Sequence, residues 1–396
     1  MNRGIFIQKS NFKGLIFTII TSFFVIITSC SKEPQLTITA AQPVSEVSKT
    51  QETDLITVEV TFNSQQVDAG SIITPLKYNK TSAVNFEFDD NPASAFTVFQ
   101  LLKSKTVSDG TGKPVGFTAT CAVNSRGNYN NGDLWENYLG HLTKQQAIEM
   151  IGSGWTLANH GLYHSVLNPN DKFGFGKPVS ENISENTKYV LDKTGFKMRT
   201  LVVPSNDAGY LAPAFDQGIL ATSSTNSFDG FQSYPLYGDY VDISSLPLTR
   251  VHLRRDFNDR WDATGTNAIK AKLTTLFNKS NEKERMLYRL GTHIPDAETF
   301  STLSDHILTE SKGNCWVTTT QEMMEYLHIK NTVVKKESLT SGKLVITLDM
   351  AGVDKETFFK EVTLKINADA AIKTITVKNA RSASSAVSTG IVNIGF

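Results

Sequence analysis

Residues 55–62, Leu-Ile-Thr-Val-Glu-Val-Thr-Phe, place apolar side chains at every second position, the period of a strand with one buried face. Turn residues follow at Asn63-Ser64 and Asp68-Ala69-Gly70. From Ala83 to about Leu327 the pattern changes, and short apolar runs alternate with stretches of helical period, the order expected of parallel βα units. Strands are predicted at 83–88 and 115–123, with a helix at 93–102 between them. Thr143-Lys144-Gln145-Gln146 has capping-box spacing, and the helix it opens stops at Gly152-Ser153-Gly154. A short strand at 155–158 then delivers Asn159-His160. Residues 183–194 read as a helix closed by Gly195, and 199–203 as a strand ending at Pro204. Residues 286–290 form a strand running into Gly291-Thr292-His293, and 316–320 a strand before a last helix at 321–328. Beyond Asn331 the helical period disappears, and alternation at 343–348, 361–366 and 375–377 predicts the strands of a small β-sandwich.

These elements predict an α/β chain: a distorted parallel (β/α) barrel of about seven units over 83–330, a small N-terminal β segment at 54–82, and a C-terminal β-sandwich at 331–396. A length of 396 residues agrees with appended modules, since a single core stops growing beyond about 250–300 residues. Upstream, Arg3, Lys9 and Lys13 precede an uncharged apolar run at 14–27, followed by Thr28-Ser29-Cys30. The run is shorter than the roughly 20 residues that span a bilayer, so 1–29 reads as a signal peptide. Ile27-Thr28-Ser29-Cys30 resembles a bacterial lipobox, which implies cleavage before Cys30, acylation of its thiol, and a lipid-anchored protein on a face of the cell envelope. Residues 30–53, rich in Ser, Thr, Gln and Glu, read as the tether.

Charge removes one class of partner. Lysine plus arginine and aspartate plus glutamate each number 39, so no basic excess exists to neutralise phosphates, and nucleic acid is not expected. Cys121 lies in an apolar stretch and Cys315 beside Trp316, which favours buried free thiols over a disulfide.

Three strand ends carry chemistry: Phe88-Asp89-Asp90, His160-Gly161-Leu162-Tyr163-His164, and His293. Taken singly, the acids fit a solvated loop, the histidine pair a chance spacing, and His293 a structural role. Taken together they are more specific. A spacing of four lets two imidazoles reach one ion, and an aspartate from another strand end completes a two-nitrogen, one-oxygen set with positions left for water and substrate. Zinc suits such a set.

Phe86-Glu87-Phe88-Asp89-Asp90, followed by Asn159-His160 and His164-Ser165, resembles the polysaccharide deacetylase (NodB-homology) family of metal-dependent carbohydrate esterases, and the resemblance runs from about Ala83 to Leu327. It implies that Asp90, His160 and His164 hold a divalent metal, most simply Zn2+. Asp89 is then the base that takes a proton from metal-bound water, and His293 the acid that protonates the leaving amine or alcohol. The backbone N–H of Ser205, after Pro204, is the implied donor to the oxyanion. The implied reaction removes N- or O-linked acetyl groups from a polysaccharide or oligosaccharide, so the implied partner is an acetylated glycan.

Two positions depart from that family. Asn91 replaces the glycine after the two aspartates, and Val202 or Val203 stands where an arginine pairs with the base. His252 and Arg254 alternate along Arg250-Val251-His252-Leu253-Arg254, a strip that reads either as the source of a replacement cation or as a solvated edge strand. The missing arginine also admits a second reading, a catalytically impaired glycan-binding lipoprotein on a deacetylase scaffold. His141, His306 and His328 read as surface residues, and Asp256 and Asp259 as residues without a role. Trp135, Tyr138, Tyr163, Tyr210 and Trp261 are candidates to stack on a sugar ring, Tyr163 foremost because it lies between the two histidines.

Overall fold

Every residue of the strand Ser82–Phe88 is buried, because layers of different chemistry cover its two faces. Val84, Phe86 and Phe88 point to the helices, where Phe86 and Phe88 each meet Phe300 edge-on at 5.1 Å and Phe88 packs against Trp155 at 5.7 Å. Each such buried ring contributes roughly 1.5–3 kcal/mol through area alone. The alternate face carries Ala83, Asn85 and Glu87, and Asp89 continues its parity beyond the strand end. The computed structural model describes residues 54–396 apart from 128–131, 137–138, 165–176 and 237. The expected signal peptide 1–29, the expected lipidation site Cys30, the expected tether 30–53 and the stacking candidate Tyr138 lie outside the described residues.

The fold is mixed α/β around a mostly parallel sheet, of eleven strands among the described residues. Those that concern the site are β1 (Ser82–Phe88), β2 (Thr120–Val123), β3 (Thr156–Asn159), β4 (Thr200–Val202), β5 (Ala221–Ser224), β6 (Val251–Arg254), β7 (Asp256–Phe257), β8 (Met286–Thr292) and β9 (Cys315–Thr318). Parallel pairing runs β8-β1-β2-β3-β4-β5-β6, and β9 also lies along β1. The run 251–257 changes partner at Arg255, since β6 pairs with β5 whereas β7 pairs with β8. Among the described strands of this sheet, Val241–Asp242 is antiparallel, on β8.

Among the described residues seven helices cover the sheet: α1 (Ser94–Leu102), α2 (Lys144–Gly152), α3 (Val179–Thr194), α4 (Leu211–Asp216), α5 (Ala263–Lys279), α6 (Ala297–Glu310) and α7 (Thr320–Thr332). The expected capping box opens α2, with Thr143 Oγ1 accepting from Gln146 N at 3.3 Å and Gln146 Oε1 from Thr143 N at 2.9 Å. Gly195 closes α3 in the left-handed region, at φ 74°. The single strand expected at 115–123 is instead two. Pro114–Gly116 pairs back on Thr106–Ser108 as a hairpin, and Phe117 N donates to Lys105 O, so the chain enters the main sheet only at Thr120. Among the described residues no helix is long and apolar enough to cross a membrane.

Both β segments flanking the sheet join in pairing. Leu55–Phe62 lies between Lys343–Asp349 and Ile372–Lys378, and Ala69–Ile73 pairs with Glu361–Ala368, giving two four-stranded antiparallel sheets. Ile56, Val58 and Val60 share one apolar cluster with Leu344, Ile346, Leu348, Val362 and Leu364. Cys121 and Cys315 are buried free thiols.

Candidate metal centre

Asp90, His160 and His164 follow the C-terminal ends of β1 and β3, and their ligand atoms lie within 4.8 Å of one another. Asp90 Oδ1 is 3.4 Å from His160 Nε2 and 3.7 Å from His164 Nε2. His160 Nδ1 donates to the Val202 carbonyl at 2.8 Å, a bond that needs the proton on Nδ1 and turns Nε2 toward Asp90 as a lone pair. Asp90 Oδ1 and His160 Nε2 are both buried and hydrogen-bond to nothing. Such orphaned atoms cost about 1–3 kcal/mol each. A carboxylate oxygen and an imidazole nitrogen that face each other without a donor fit a cation held between them.

The electrostatics agree. Burial pushes the Asp90 carboxyl up, but the imidazoles of His160, His164 and His293 outweigh it and hold the group well below the usual carboxylate range. Burial pushes His160 down, yet Asp90 and Asp89 more than reverse this, whereas burial and the neighbouring His160 leave His164 lowered. The field at Asp90 favours positive charge.

Local folding sets each ligand. Asp90 and Asn91 both take left-handed backbone angles, at φ 66° and 41°, a region that asparagine and aspartate tolerate better than other non-glycine residues. Asn91 thus supplies the conformation for which the family resemblance expects glycine. On the histidine side, Gly161 sits at φ 79°, where an added Cβ would lie 2.5 Å from Tyr163 O and 2.9 Å from Asn182 Nδ2. Asn182 of α3 binds both backbone groups of Tyr163, accepting from N at 2.9 Å and donating to O at 3.1 Å. Asn124 donates to the carbonyls of His160 and Gly161, and Asn186 to Val123 O at 2.8 Å. Four buried amides, Asn124, Asn159, Asn182 and Asn186, hold this turn and its surroundings.

Two further pairs flank the triad. Asp89 is gripped by Arg255, with Nη1 2.9 Å from Oδ1 and Nη2 against Oδ2. The cation expected from His252 or Arg254 comes instead from the next residue. Nor is the strip 250–254 a solvated edge: Val251, His252 and Leu253 are buried, and β6 is paired on both sides. Arg255 also reaches Glu87, whose carboxyl is pushed up by burial but held down to about 2 by Arg289 and Arg255. Gly291 makes room for this guanidinium, since a Cβ there would lie 2.7 Å from Arg255 Cζ.

The second pair joins His293 Nδ1 to Asp259 Oδ2 at 2.8 Å, while Asp259 Oδ1 accepts from the His293 and Thr292 donors at 2.8 and 2.9 Å. His293 Nε2 faces Asp90 Oδ2 at 3.8 Å. Asp259, read from sequence as a residue without a role, orients the ring.

No protein-family model matches the sequence, and no curated protein does. Solved structures similar to this chain include family 4 carbohydrate esterases and peptidoglycan deacetylases. A family 4 carbohydrate esterase from Streptomyces lividans, in complex with acetate, shares 12% identity over 60% of this chain and 91% of its own, with a TM-score of 0.37. The peptidoglycan deacetylase PdaC from Bacillus subtilis shares 12% over 63% and 93%, with a TM-score of 0.36. A CE4 family pseudoenzyme from Bacillus anthracis shares 12% over 62% and 66%, with a TM-score of 0.38.

Other expected residues fall elsewhere. Ser205 follows β4, exposed and at φ 51°. Tyr163, Tyr210 and Trp135 are buried and so offer no open ring, while Trp261 stays half-buried and donates from Nε1 to Ile294 O at 2.6 Å, next to His293. None of the three histidines read as surface residues is simply solvated. His306 Nε2 bridges to Thr274 Oγ1 and Lys270 O of α5, His328 Nε2 donates to Leu248 O, and His141 Nδ1 donates to Asp90 O at 3.2 Å. Asp256 accepts from Tyr288 and Lys272.

Proposed function

We propose that this protein is a metal-dependent hydrolase that removes N- or O-linked acetyl groups from a polysaccharide or oligosaccharide. The observation that carries the reading is the placement of two oriented proton-transfer groups, Asp89 on Arg255 and His293 on Asp259, beside the Asp90, His160 and His164 cluster. A binding module needs neither. The contact of Arg255 with Asp89 supports this reading over an impaired scaffold.

Asp90, His160 and His164 would hold the ion, and two imidazoles with one carboxylate favour zinc. What such a cation supplies is a lowered water pKa and a polarised acyl oxygen. Asp89 accepts the proton of the attacking water on a lone pair that Arg255 leaves unused, each carboxylate oxygen having two. Arg255 prevents the carboxylate from rotating away. His293, held through Nδ1, presents Nε2 to the leaving amine or alcohol and gives it a proton, without which expulsion is slow. The Ser205 backbone N–H is the candidate oxyanion donor.

The partner is an acetylated glycan, with the half-buried Trp261, next to His293 through its bond to Ile294 O, the ring best placed to meet a sugar. We read the change of partner at Arg255 as closing the sheet into a distorted barrel of β1 to β5, the 251–257 run and β8. Attachment to a cell-envelope membrane through acylated Cys30 rests on the Ile27-Thr28-Ser29-Cys30 motif. Acetate release from a panel of acetylated oligosaccharides tests the reading. Activity should fall on chelation, return with Zn2+, and vanish in Asp89→Asn. Equal release by wild type and Asp89→Asn would sink it.

A further inference from the structure

The turn that presents Asp90 holds two successive non-glycine residues in the left-handed region, Asp90 at φ 66° and Asn91 at φ 41°. Such angles persist only where surrounding contacts over-determine them. Here the contacts come from two directions. Asn91 N donates to Ala122 O at 2.9 Å from the sheet side. From the other side the stretch 140–142 lies across the turn, with Ala93 N donating to Gly140 O, Leu142 N to Asn91 O, both at 2.9 Å, and Pro92 bridged to His141. Within that strap His141 is half-buried, and its Nδ1 lies 3.2 Å from the carbonyl oxygen of Asp90. A carbonyl only accepts, so the proton is on Nδ1.

We propose that His141 is a positioning residue of the metal centre: its Nδ1–H, bonded to the Asp90 carbonyl, holds the left-handed ligand turn and so aims Asp90 Oδ1 at the two histidines. This rests on Asp90 being a metal ligand, as proposed above. Ligand-orienting bonds of this kind are worth about 10- to 100-fold in metal affinity. The bond is made by one donor at one ring position, and that gives the test its discrimination. Asparagine places an amide nitrogen where Nδ1 stands, whereas glutamine places its amide one carbon farther out and alanine offers nothing.

Metal-stripped full-length protein is titrated with Zn2+ against a chromophoric chelator, and the thermal midpoint of the metal-free form is recorded beside it. The expected result is that His141→Asn binds within about twofold of wild type, while His141→Ala and His141→Gln bind at least about tenfold more weakly with little change in the metal-free midpoint. Asn91→Gly, which suits a positive φ, should recover part of the loss in the His141→Ala background. His141→Ala binding as tightly as wild type overturns the proposal, as does His141→Asn losing as much as His141→Ala. If His141→Ala does not fold, the Asn and Gln variants decide between the outcomes. Wild type that binds no Zn2+ sinks the metal reading itself, a failure distinct from equal binding by wild type and variants.

Discussion

Arg255 reaches Asp89 with both ends of its guanidinium, Nη1 at 2.9 Å from Oδ1 and Nη2 against Oδ2, while Nη1 also lies 3.0 Å from Glu87 Oε2. A planar fork of this kind fixes the rotation of the carboxylate, which a point charge does not. Arg255→Lys keeps a cation between Glu87 and Asp89 but removes the fork. We expect kcat for acetate release to fall by about tenfold or more, with Zn2+ affinity within about twofold of wild type. An unchanged kcat would show that Asp89 needs no orienting partner.

Asp259 bears the same relation to His293. Burial pushes its carboxyl up, but the His293 side chain and backbone N–H and the Thr292 hydroxyl hold it below the usual carboxylate range. Asp259→Asn keeps the shape and loses the charge-assisted bond. A loss of about a hundredfold in kcat is expected, and His293→Ala combined with Asp259→Asn should be no slower than His293→Ala alone. Additive losses in that cycle would mean that the two residues act separately.

The parts of this centre that were legible in sequence are those that a regular element delivers. Strand ends placed Asp89, Asp90, His160 and His293, and a spacing of four placed His164, because period and punctuation are local properties. Arg255 was not legible. Alternation along β6 groups His252 with Arg254, but parity holds only within one strand, and the run changes partner at Arg255, whose N donates to Ser224 O. Asp259 lies in a loop beyond β7, where nothing local distinguishes a partner of His293 from a solvated acid. The amides Asn182 and Asn186 did carry a signal, since they share the buried stripe of α3 with Ile183 and Val190. Polar residues on a core-facing stripe mark a turn that needs side-chain donors.

That turn supplies a stability test. Gly161→Ala would set a Cβ 2.5 Å from Tyr163 O at a backbone angle of φ 79°. The substitution should destabilise the protein by more than about 1 kcal/mol and weaken Zn2+ binding, because the peptide that moves joins His160 to His164. Urea unfolding with and without Zn2+ reads both effects. A variant that matches wild type in each would show that the turn relaxes without displacing the ligands.

His252 offers a pH test away from the metal. It is buried on β6, with Nδ1 2.9 Å from Thr222 Oγ1 and Nε2 3.0 Å from Asn226 O. A neutral ring satisfies both contacts, donating from Nε2 and accepting at Nδ1. Burial pushes its pKa down from 6.5 to about 4, opposed by the bond to the Asn226 carbonyl and reinforced by the charges of Arg289 and Arg254. Folding therefore favours the neutral form. The contribution is fully present above the unfolded pKa of 6.5 and is lost as pH falls toward 4, because only the unfolded chain takes up the proton in that window. Between about pH 7 and 4.5, wild type should lose roughly 2 kcal/mol more unfolding free energy than His252→Gln. The difference between the two proteins cancels the carboxylates that titrate in both. Parallel losses would place the acid sensitivity elsewhere in the molecule.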